Sequence, residues 1–344
     1  MPDSVELRPP APDRPRVSVV IPTRNRRHLL ARTLASVLRQ VDVDLEVVVV
    51  DDASEDGTEA YLRSLEDDRL LVIRHEEAVG PSVARNVGVE AAAAPLVAFC
   101  DHDDLWATEK LTSQVMAMRQ QAGARWACAG VVLVDERLRI VRARHPPSEP
   151  DLIKGLLASD TVPGGGSGVV AETSLIRSLG GFDAKLTLLC DWDMWIRLAL
   201  HSPMASSDRP LVGYLRHNQS LTGSGMTSFE DEYEYIRAKF RQERRRFGAE
   251  LSEAETQGWV ADSDARAGRR GPAVRRYLRI VWRHGSRSAL KRMAAVAVWP
   301  GSIRLADRTE RRRITPDWMR EAEAWLRPYR DGGGDRAELL ATAR

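Results

Sequence analysis

Asp101 and Asp103 stand one residue apart where the apolar run Leu96-Val97-Ala98-Phe99-Cys100 ends. An unbroken apolar run between Pro95 and a polar cluster reads as a strand buried on both faces of a parallel sheet. In such sheets ligands collect beyond the carboxyl ends of strands. Two carboxylates leaving that edge repel one another, a cost offset when a divalent cation lies between them and a polyphosphate. Mg2+ and Mn2+ accept a few carboxylates together with phosphate oxygens and water. An Asp-x-Asp triplet alone is more often a solvated loop, so its weight comes from context. A second acidic pair, Asp51-Asp52, ends the apolar run 45–50. A carboxylate there can accept hydrogen bonds from base N–H groups or ribose hydroxyls; the alternative has Asp51 capping the next turn and Asp52 in solvent.

The elements that would position these groups are legible in the spacing. Residues 17–21 form a β-branched run stopped by Pro22, and 27–40 carries Leu29, Leu30, Leu34, Val37 and Leu38 at helical spacing. Strands at 45–50, 70–74 and 96–100 then alternate with helices at 58–65 and 81–94, the pattern of an open parallel sheet covered on both faces. Beyond Asp104 the pattern loosens: a helix over 108–121, a strand over 126–134, a hairpin partner over 137–144, a helix over 191–200 and a strand over 211–215. Pro163-Gly164-Gly165-Gly166-Ser167-Gly168 reads as the most flexible stretch, suited to a loop that moves around a ligand. From Phe229 the chain turns into Arg- and Glu-rich helix with glycine breaks. The expected organisation is a lead over 1–15, a catalytic domain over 16–228, a helical appendage over 229–330 and a disordered tail over 331–344.

Composition narrows the function classes. The 344 residues hold 43% hydrophobic and 29% charged residues, as in ordinary globular proteins. Lys plus Arg number 51 against 49 Asp plus Glu, so a net charge of +2 gives no reason to expect nucleic acid as a partner. Cys100, Cys128 and Cys190 are isolated and odd in number, which argues against a disulfide framework or a zinc site and suits a reducing cytoplasm. Residues 1–16 are Pro-rich and polar, without the apolar core of a signal peptide. The longest apolar candidate for a membrane span, Met293–Trp299, falls far short of the about 20 residues that a crossing needs.

Six segments occur in a fixed order: Val-Ile-Pro-Thr-Arg-Asn-Arg (20–26), Val-Asp-Asp-Ala-Ser-Glu-Asp-Gly-Thr (50–58), Ala-Arg-Asn-Val-Gly (84–88), Asp-His-Asp-Asp-x-Trp (101–106), Gly-Gly-Phe-Asp (180–183) and Cys-Asp-Trp-Asp-Met-Trp-Ile-Arg-Leu (190–198). Together, over roughly residues 16–220, the series resembles the family 2 glycosyltransferases of GT-A fold. The resemblance implies an α/β fold with a mostly parallel nucleotide-binding sheet, a nucleotide-sugar donor (UDP- or dTDP-sugar first), a divalent Mn2+ or Mg2+, and inversion at the anomeric carbon. It places Pro22, Thr23, Arg24 and Asn25 beside the base, with Asp52 as base reader. It makes Asp103 the principal metal ligand and Asp101 a ribose or water-mediated metal contact. Arg85 either points into the cleft towards the donor or forms an ion pair on its helix surface. His217, in Arg216-His217-x-x-Ser220, is either a further metal or diphosphate ligand or a buried structural histidine, and His102 is a spectator.

Asp191 is the expected general base, a carboxylate within reach of an acceptor hydroxyl and screened by Trp192 and Trp195. The family usually has Glu before this Asp; here Cys190 takes its place, which bears on acceptor recognition. A competing role for Asp191 or Asp193 is to cap the helix or meet its dipole. The acceptor class stays open among saccharides, lipid-linked sugars and small molecules. The C-terminal helices, with Arg287, Lys291 and Arg292 beside Leu290, Met293, Val296 and Trp299, suit either packing and homodimer formation or contact with the inner face of a membrane. Nucleotidyl and hydride transfer are disfavoured, since 22–27 has no glycine-rich phosphate loop. The remaining alternative is a catalytically impaired nucleotide-sugar-binding or scaffold protein with the same fold.

Overall fold

The computed structural model describes residues 16–147, 151–217, 229–298 and 310–330. The expected lead over 1–15, the tail over 331–344, and Ser220 and Trp299 lie outside them. The strands are β1 (Arg16–Thr23), β2 (Asp44–Asp52), β3 (Leu70–His75), β4 (Leu96–Phe99), β5 (Leu105–Trp106), β6 (Trp126–Val134), β7 (Ile140–Arg144), β8 (Val169–Glu172) and β9 (Met204–Leu215). The helices are α1 (Arg27–Leu38), α2 (Thr58–Arg63), α3 (Pro81–Ala91), α4 (Lys110–Gln120), α5 (Leu152–Ala158), α6 (Thr173–Ser178), α7 (Cys190–His201), α8 (Phe229–Lys239), α9 (Arg241–Phe247), α10 (Glu253–Arg266), α11 (Arg270–His284), α12 (Arg287–Val298) and α13 (Pro316–Arg330).

The strands join in one sheet in the order β3-β2-β1-β4-β8-β6-β9-β5, with β7 paired to β6. The unbroken valine runs follow from burial on both faces. Val47 and Val49 of β2 face a core shared with α1 and α4, whereas Val48 and Val50 face a second core shared with α3 and α7. Phe99 and Cys100 divide between the same two cores. Helix α3 lies so close to β1 that a Cβ on Gly88 would sit 2.3 Å from the Val20 side chain. The expectation of a mostly parallel sheet holds for β3-β2-β1-β4 and fails beyond them. The pairings β4·β8, β6·β8, β6·β7 and β5·β9 are antiparallel, and only β6·β9 continues parallel. The loosened periodicity after Asp104 is this change of direction, since hairpin partners need no crossover helix.

The 229–330 segment packs in three different ways. Phe229, Tyr233, Ile236 and Phe240 enter the same core as Trp192 and Trp195, while Trp318, Ala322 and Leu326 of α13 cover Val132 and Leu215 on the sheet. Helices α10 to α12 build a small core of their own around Ala261, Tyr277 and Ile280. Helix α8 is also fastened by charge. Asp183 accepts hydrogen bonds from Tyr235 Oη at 2.8 Å and Lys239 Nζ at 2.7 Å. Burial raises the pKa of Asp183, but Lys239, the Lys185 N–H and Tyr235 outweigh it and bring it to about 2. Against the ordinary 3.8, that shift is worth about 2 kcal/mol of stability, present above pH ~4 and lost as pH falls through about 2. Asp183→Asn should therefore lower the urea-unfolding free energy by about 2 kcal/mol at neutral pH, and the gap from the wild type should close in acid. An undiminished gap at low pH would deny the linkage.

Candidate active site

The sites expected from the sequence gather at the carboxyl ends of β1, β2 and β4. Strands β2 and β4 flank β1 on opposite sides, the topology that opens a crevice beyond these ends. At the end of β1, Pro22 and Thr23 are buried, and the following Arg24 and Asn25 are exposed. Asn25 adopts a left-handed φ of 52°, and its Oδ1 accepts the Glu55 N–H at 2.7 Å. Its side chain therefore ties the first crevice loop to the second. His102 Nδ1 lies 3.1 Å from the Pro22 carbonyl oxygen, a local contact in keeping with a spectator.

The two carboxylates that end β2 do different work. Asp51 is fully buried, accepts the Ser54 N–H at 3.1 Å and pairs with Arg74 at 2.5 Å, so it does cap the turn. Asp52 is not in solvent. One of its oxygens accepts the Val79 N–H at 2.8 Å and lies 3.1 Å from His75 Nδ1, and the other accepts the Gly80 N–H at 3.0 Å. Burial pushes its pKa up, yet these contacts more than offset it, and Asp52 stays below the ordinary range. It fixes the 76–80 loop at the crevice rim and keeps lone pairs for a further donor.

Arg85, for which a donor contact and an ion pair were both open, has a side chain only 6% exposed and engaged with acidic groups inside the protein. Nη2 donates to Asp101 Oδ1 at 2.7 Å, while Nη1 lies 3.5 Å from Cys190 Sγ and 3.9 Å from Asp191 Oδ1. Burial disfavours the cation, but Asp191 and then Asp101 outweigh it and raise its pKa. Asp101 is raised by burial, with Arg85 opposing and Asp191 and Asp103 adding to it. Asp103 pairs with His217 Nε2 at 2.8 Å. Burial raises the Asp103 pKa, the His217 contact outweighs it, and the net shift is downward.

The 163–168 segment, expected as a loop that moves around a ligand, packs closely in this structure. It forms a 3-10 turn over Gly165–Gly168, with Gly166, Ser167 and Gly168 buried. The glycines serve close approach: a Cβ on Gly165, whose φ is +51°, would lie 3.0 Å from Asp191 Oδ2 and 3.8 Å from Asp101 Oδ2. The Gly166 N–H donates to Asp191 Oδ2 at 3.0 Å. Ser167 Oγ accepts the Asp101 N–H at 2.9 Å and donates to the buried Asp104 at 2.5 Å. Sequence reasoning passed over Asp104 and Ser167; a third aspartate in the polar run 101–104 and a serine within the glycine run 164–168 were the available signals.

Helix α7 separates its two aspartates. Asp193 is fully buried and pairs with Arg197 at 2.7 Å and Lys239 at 2.6 Å. Asp191 lies in the first turn without capping it and keeps 17% of its side chain exposed. Glu232 of α8, with no sequence signal of its own, accepts the N–H groups of Thr187, Leu188 and Leu189 just ahead of this turn. Trp192 donates to the Leu156 carbonyl at 2.7 Å and lines the cleft beside Asp191, whereas Trp195 packs inward on Trp126 and Phe182. The cleft, of about 410 Å³, runs from Asp191 and His217 to Arg144 on β7 and Trp259 on α10, and Asp52 and Asp101 do not line it. Asp160, on its wall, is raised by desolvation and then by the Asp191 charge to about 7.

A mixed sheet with this crevice, an acidic cluster after β4 and a carboxylate-bearing helix beside it define a GT-A glycosyltransferase fold. Residues 18–164 match the model of Glycosyl transferase family 2. Escherichia coli WfgD, named UDP-Glc:alpha-D-GlcNAc-diphosphoundecaprenol beta-1,3-glucosyltransferase, is 34% identical over 102 residues, 30% of this chain and 40% of WfgD. Validoxylamine A glucosyltransferase of Streptomyces hygroscopicus subsp. jinggangensis (strain 5008) is 43% identical over 115 residues, 32% of this chain and 27% of that protein. The chain thus spans less than half the length of these curated relatives. The crystal structure of S. aureus TarS 1-349 in complex with UDP-GlcNAc aligns over 92% of both chains with a TM-score of 0.54 and 18% identity, which establishes the shared fold.

The different surroundings of the α7 aspartates give a direct test. Asp193→Asn breaks a buried ion pair and should cost about 3 kcal/mol of unfolding free energy. Asp191→Asn, at a half-open site, should change stability by less than about 1 kcal/mol. Urea unfolding of both variants decides; equal losses would contradict the assignment.

Proposed function

We propose that this protein transfers a glycosyl group from a nucleoside-diphosphate sugar, UDP- or dTDP-linked, to an acceptor hydroxyl by one inverting displacement. The observation that carries the reading is Asp191. Its Oδ2 is held by the Gly166 N–H, and the side chain opens into the cleft beside His217. A carboxylate so fixed, partly screened by Trp192, can take the proton of an acceptor hydroxyl as its oxygen attacks the anomeric carbon. No protein acid is needed at the other side, because a nucleoside diphosphate leaves readily. The two glucosyltransferase relatives support this class of chemistry.

Asp103 and His217 are the residues that would hold a divalent cation. One carboxylate and one imidazole suit Mn2+ or Mg2+, which take their remaining positions from diphosphate oxygens and water. Among the described residues no group of three His, Cys, Asp or Glu side chains converges on one point, so the protein supplies part of a coordination shell and the donor the rest. When bound, the cation supplies positive charge opposite the departing diphosphate. Arg85 places one cation between Asp101 and Asp191, and Ser167 holds the Asp101 backbone.

The acceptor side of the cleft favours a molecule with both an anionic group and a sugar face. The exposed Arg144 side chain makes no ion pair or hydrogen bond among the described residues, and the Glu255 and Asp160 charges act on it only at longer range. A guanidinium with no direct partner can take an anionic group through a charge-assisted contact. Trp259, 43% exposed, offers its ring in the same cleft. WfgD, whose name gives a diphospho-lipid-linked sugar as acceptor, supports a lipid-linked acceptor of this kind. The scaffold alternative rests on Cys190, whose thiol meets Arg85 where the family has Glu.

Asp191→Asn should lower kcat by about 10²–10⁴ with donor affinity nearly unchanged; an active variant would remove Asp191 from the chemistry. Detectable donor turnover by the wild type would separate the enzyme from the scaffold. Chelation with EDTA should abolish transfer and restored Mn2+ should recover it, whereas full activity in EDTA would exclude the cation. Arg144→Ala should raise the acceptor KM about tenfold, the scale of one lost charge-assisted contact. An unchanged KM would place the anionic group elsewhere.

A further inference from the structure

Residues 265–298 contain ten Lys and Arg and no Asp or Glu, in a chain whose net charge is only +2. The asymmetry is concentrated on the helical pair α11 and α12, which are joined by Gly285 and Ser286 and pack on each other through their own small core. Part of the basic charge is used internally. Arg276 pairs with Glu230 and Asp264, Arg283 with Glu253, and Arg292 with Asp262. Arg275, Arg279, Arg287 and Lys291 are exposed and have no partner among the described residues.

Large apolar side chains stand exposed among these cations. On α11, Arg275, Leu278, Arg279 and Trp282 recur at helical spacing, with Leu278 53% and Trp282 83% exposed. On α12, Arg287, Leu290, Lys291 and Val298 do the same, with Leu290 48% and Val298 85% exposed. An aromatic, aliphatic side chains and unpaired cations on the outer stripe of a short helix are the composition of elements that lie in a headgroup layer. Neither helix is long and apolar enough to cross a bilayer.

We propose that the α11–α12 pair docks this protein on an anionic lipid surface. Trp282, Leu278, Leu290 and Val298 enter the interface while Arg275, Arg279, Arg287 and Lys291 meet lipid phosphates. The charge pattern disfavours a second copy as the occupant, because a two-fold interface would set this all-basic face against itself. Nucleic acid would satisfy the cations but leave leucine and valine side chains facing a phosphate backbone. The proposal does not depend on the reading of the active site, and none of these residues lines the cleft.

The test is flotation of the full chain with vesicles of phosphatidylcholine containing phosphatidylglycerol, and with phosphatidylcholine alone. Binding should require phosphatidylglycerol and weaken strongly at about 1 M salt, where the Debye length shrinks to about 3 Å. Arg275→Glu, Arg279→Glu and Lys291→Glu combined should lower the partition coefficient at least about a hundredfold, at about 1 kcal/mol per cation removed. Trp282→Ala should reduce binding to the same vesicles with the net charge unchanged. All four positions are exposed, so thermal unfolding and donor turnover should stay as in the wild type. Absence of flotation at low salt would overturn the proposal. So would binding indifferent to these substitutions, a dimer in sedimentation that they dissociate, or capture of duplex DNA in place of vesicles.

Discussion

The Arg85 guanidinium, buried between Asp101 and Asp191, is the interaction on which the rest of the site depends. Three acidic groups, Asp101, Asp103 and Asp191, come from two elements far apart in sequence, and in a low-dielectric crevice their charges would repel one another. Arg85 supplies a permanent cation to two of them, and His217 supplies a partner to the third. The cation is itself costly to bury, and the Phe182 ring 5.5 Å from Cζ and the Cys190 thiol complete its surroundings. The Gly-Gly-Phe-Asp segment is therefore coupled to the site through that ring and through Asn86, which exchanges hydrogen bonds with the Phe182 backbone at 2.6 and 2.8 Å.

That arrangement requires α7 to be held in register against β4. Backbone contacts do this on one side, where the 3-10 turn at Gly165–Gly168 inserts between the β4 terminus and Asp191. Helix α8 does it on the other, with Glu232 receiving the N–H groups ahead of α7 and Lys239 reaching Asp193. Each contact satisfies a buried polar group that would otherwise lie unpaired at a helix start. The C-terminal helices thus contribute twice: α8 braces the aspartate that faces the cleft, and α10 adds Trp259 to the cleft itself.

The first half of this architecture was legible in the sequence because its physics is local. Continuous valine runs need two apolar faces, and the positions of Asp51, Asp52, Asp101 and Asp103 after such runs follow from strand geometry alone. The second half was not, because an antiparallel return such as β8 or β7 leaves no crossover helix to announce it. Side-chain partners were not legible where they come from far along the chain. For Arg85 a donor contact and an ion pair stayed open, since nothing local reveals that Asp101 and Asp191 close over it. The glycine run 163–168 was taken as mobile, because flexibility in isolation and close approach to a carboxylate demand the same residue. Asp191 and Asp193 could not be distinguished by spacing; Arg197 and Lys239 distinguish them in space.

The role proposed for Asp191, a base on the acceptor hydroxyl with no covalent step on the protein, commits the account to one displacement at the anomeric carbon. The direct test is the anomeric configuration of the first product formed from an α-linked nucleotide sugar, read by proton NMR coupling before mutarotation or further turnover. Inversion to the β configuration is the result that one displacement driven by Asp191 predicts. A retained α configuration would require a covalent or paired-step route and would contradict the role given to Asp191.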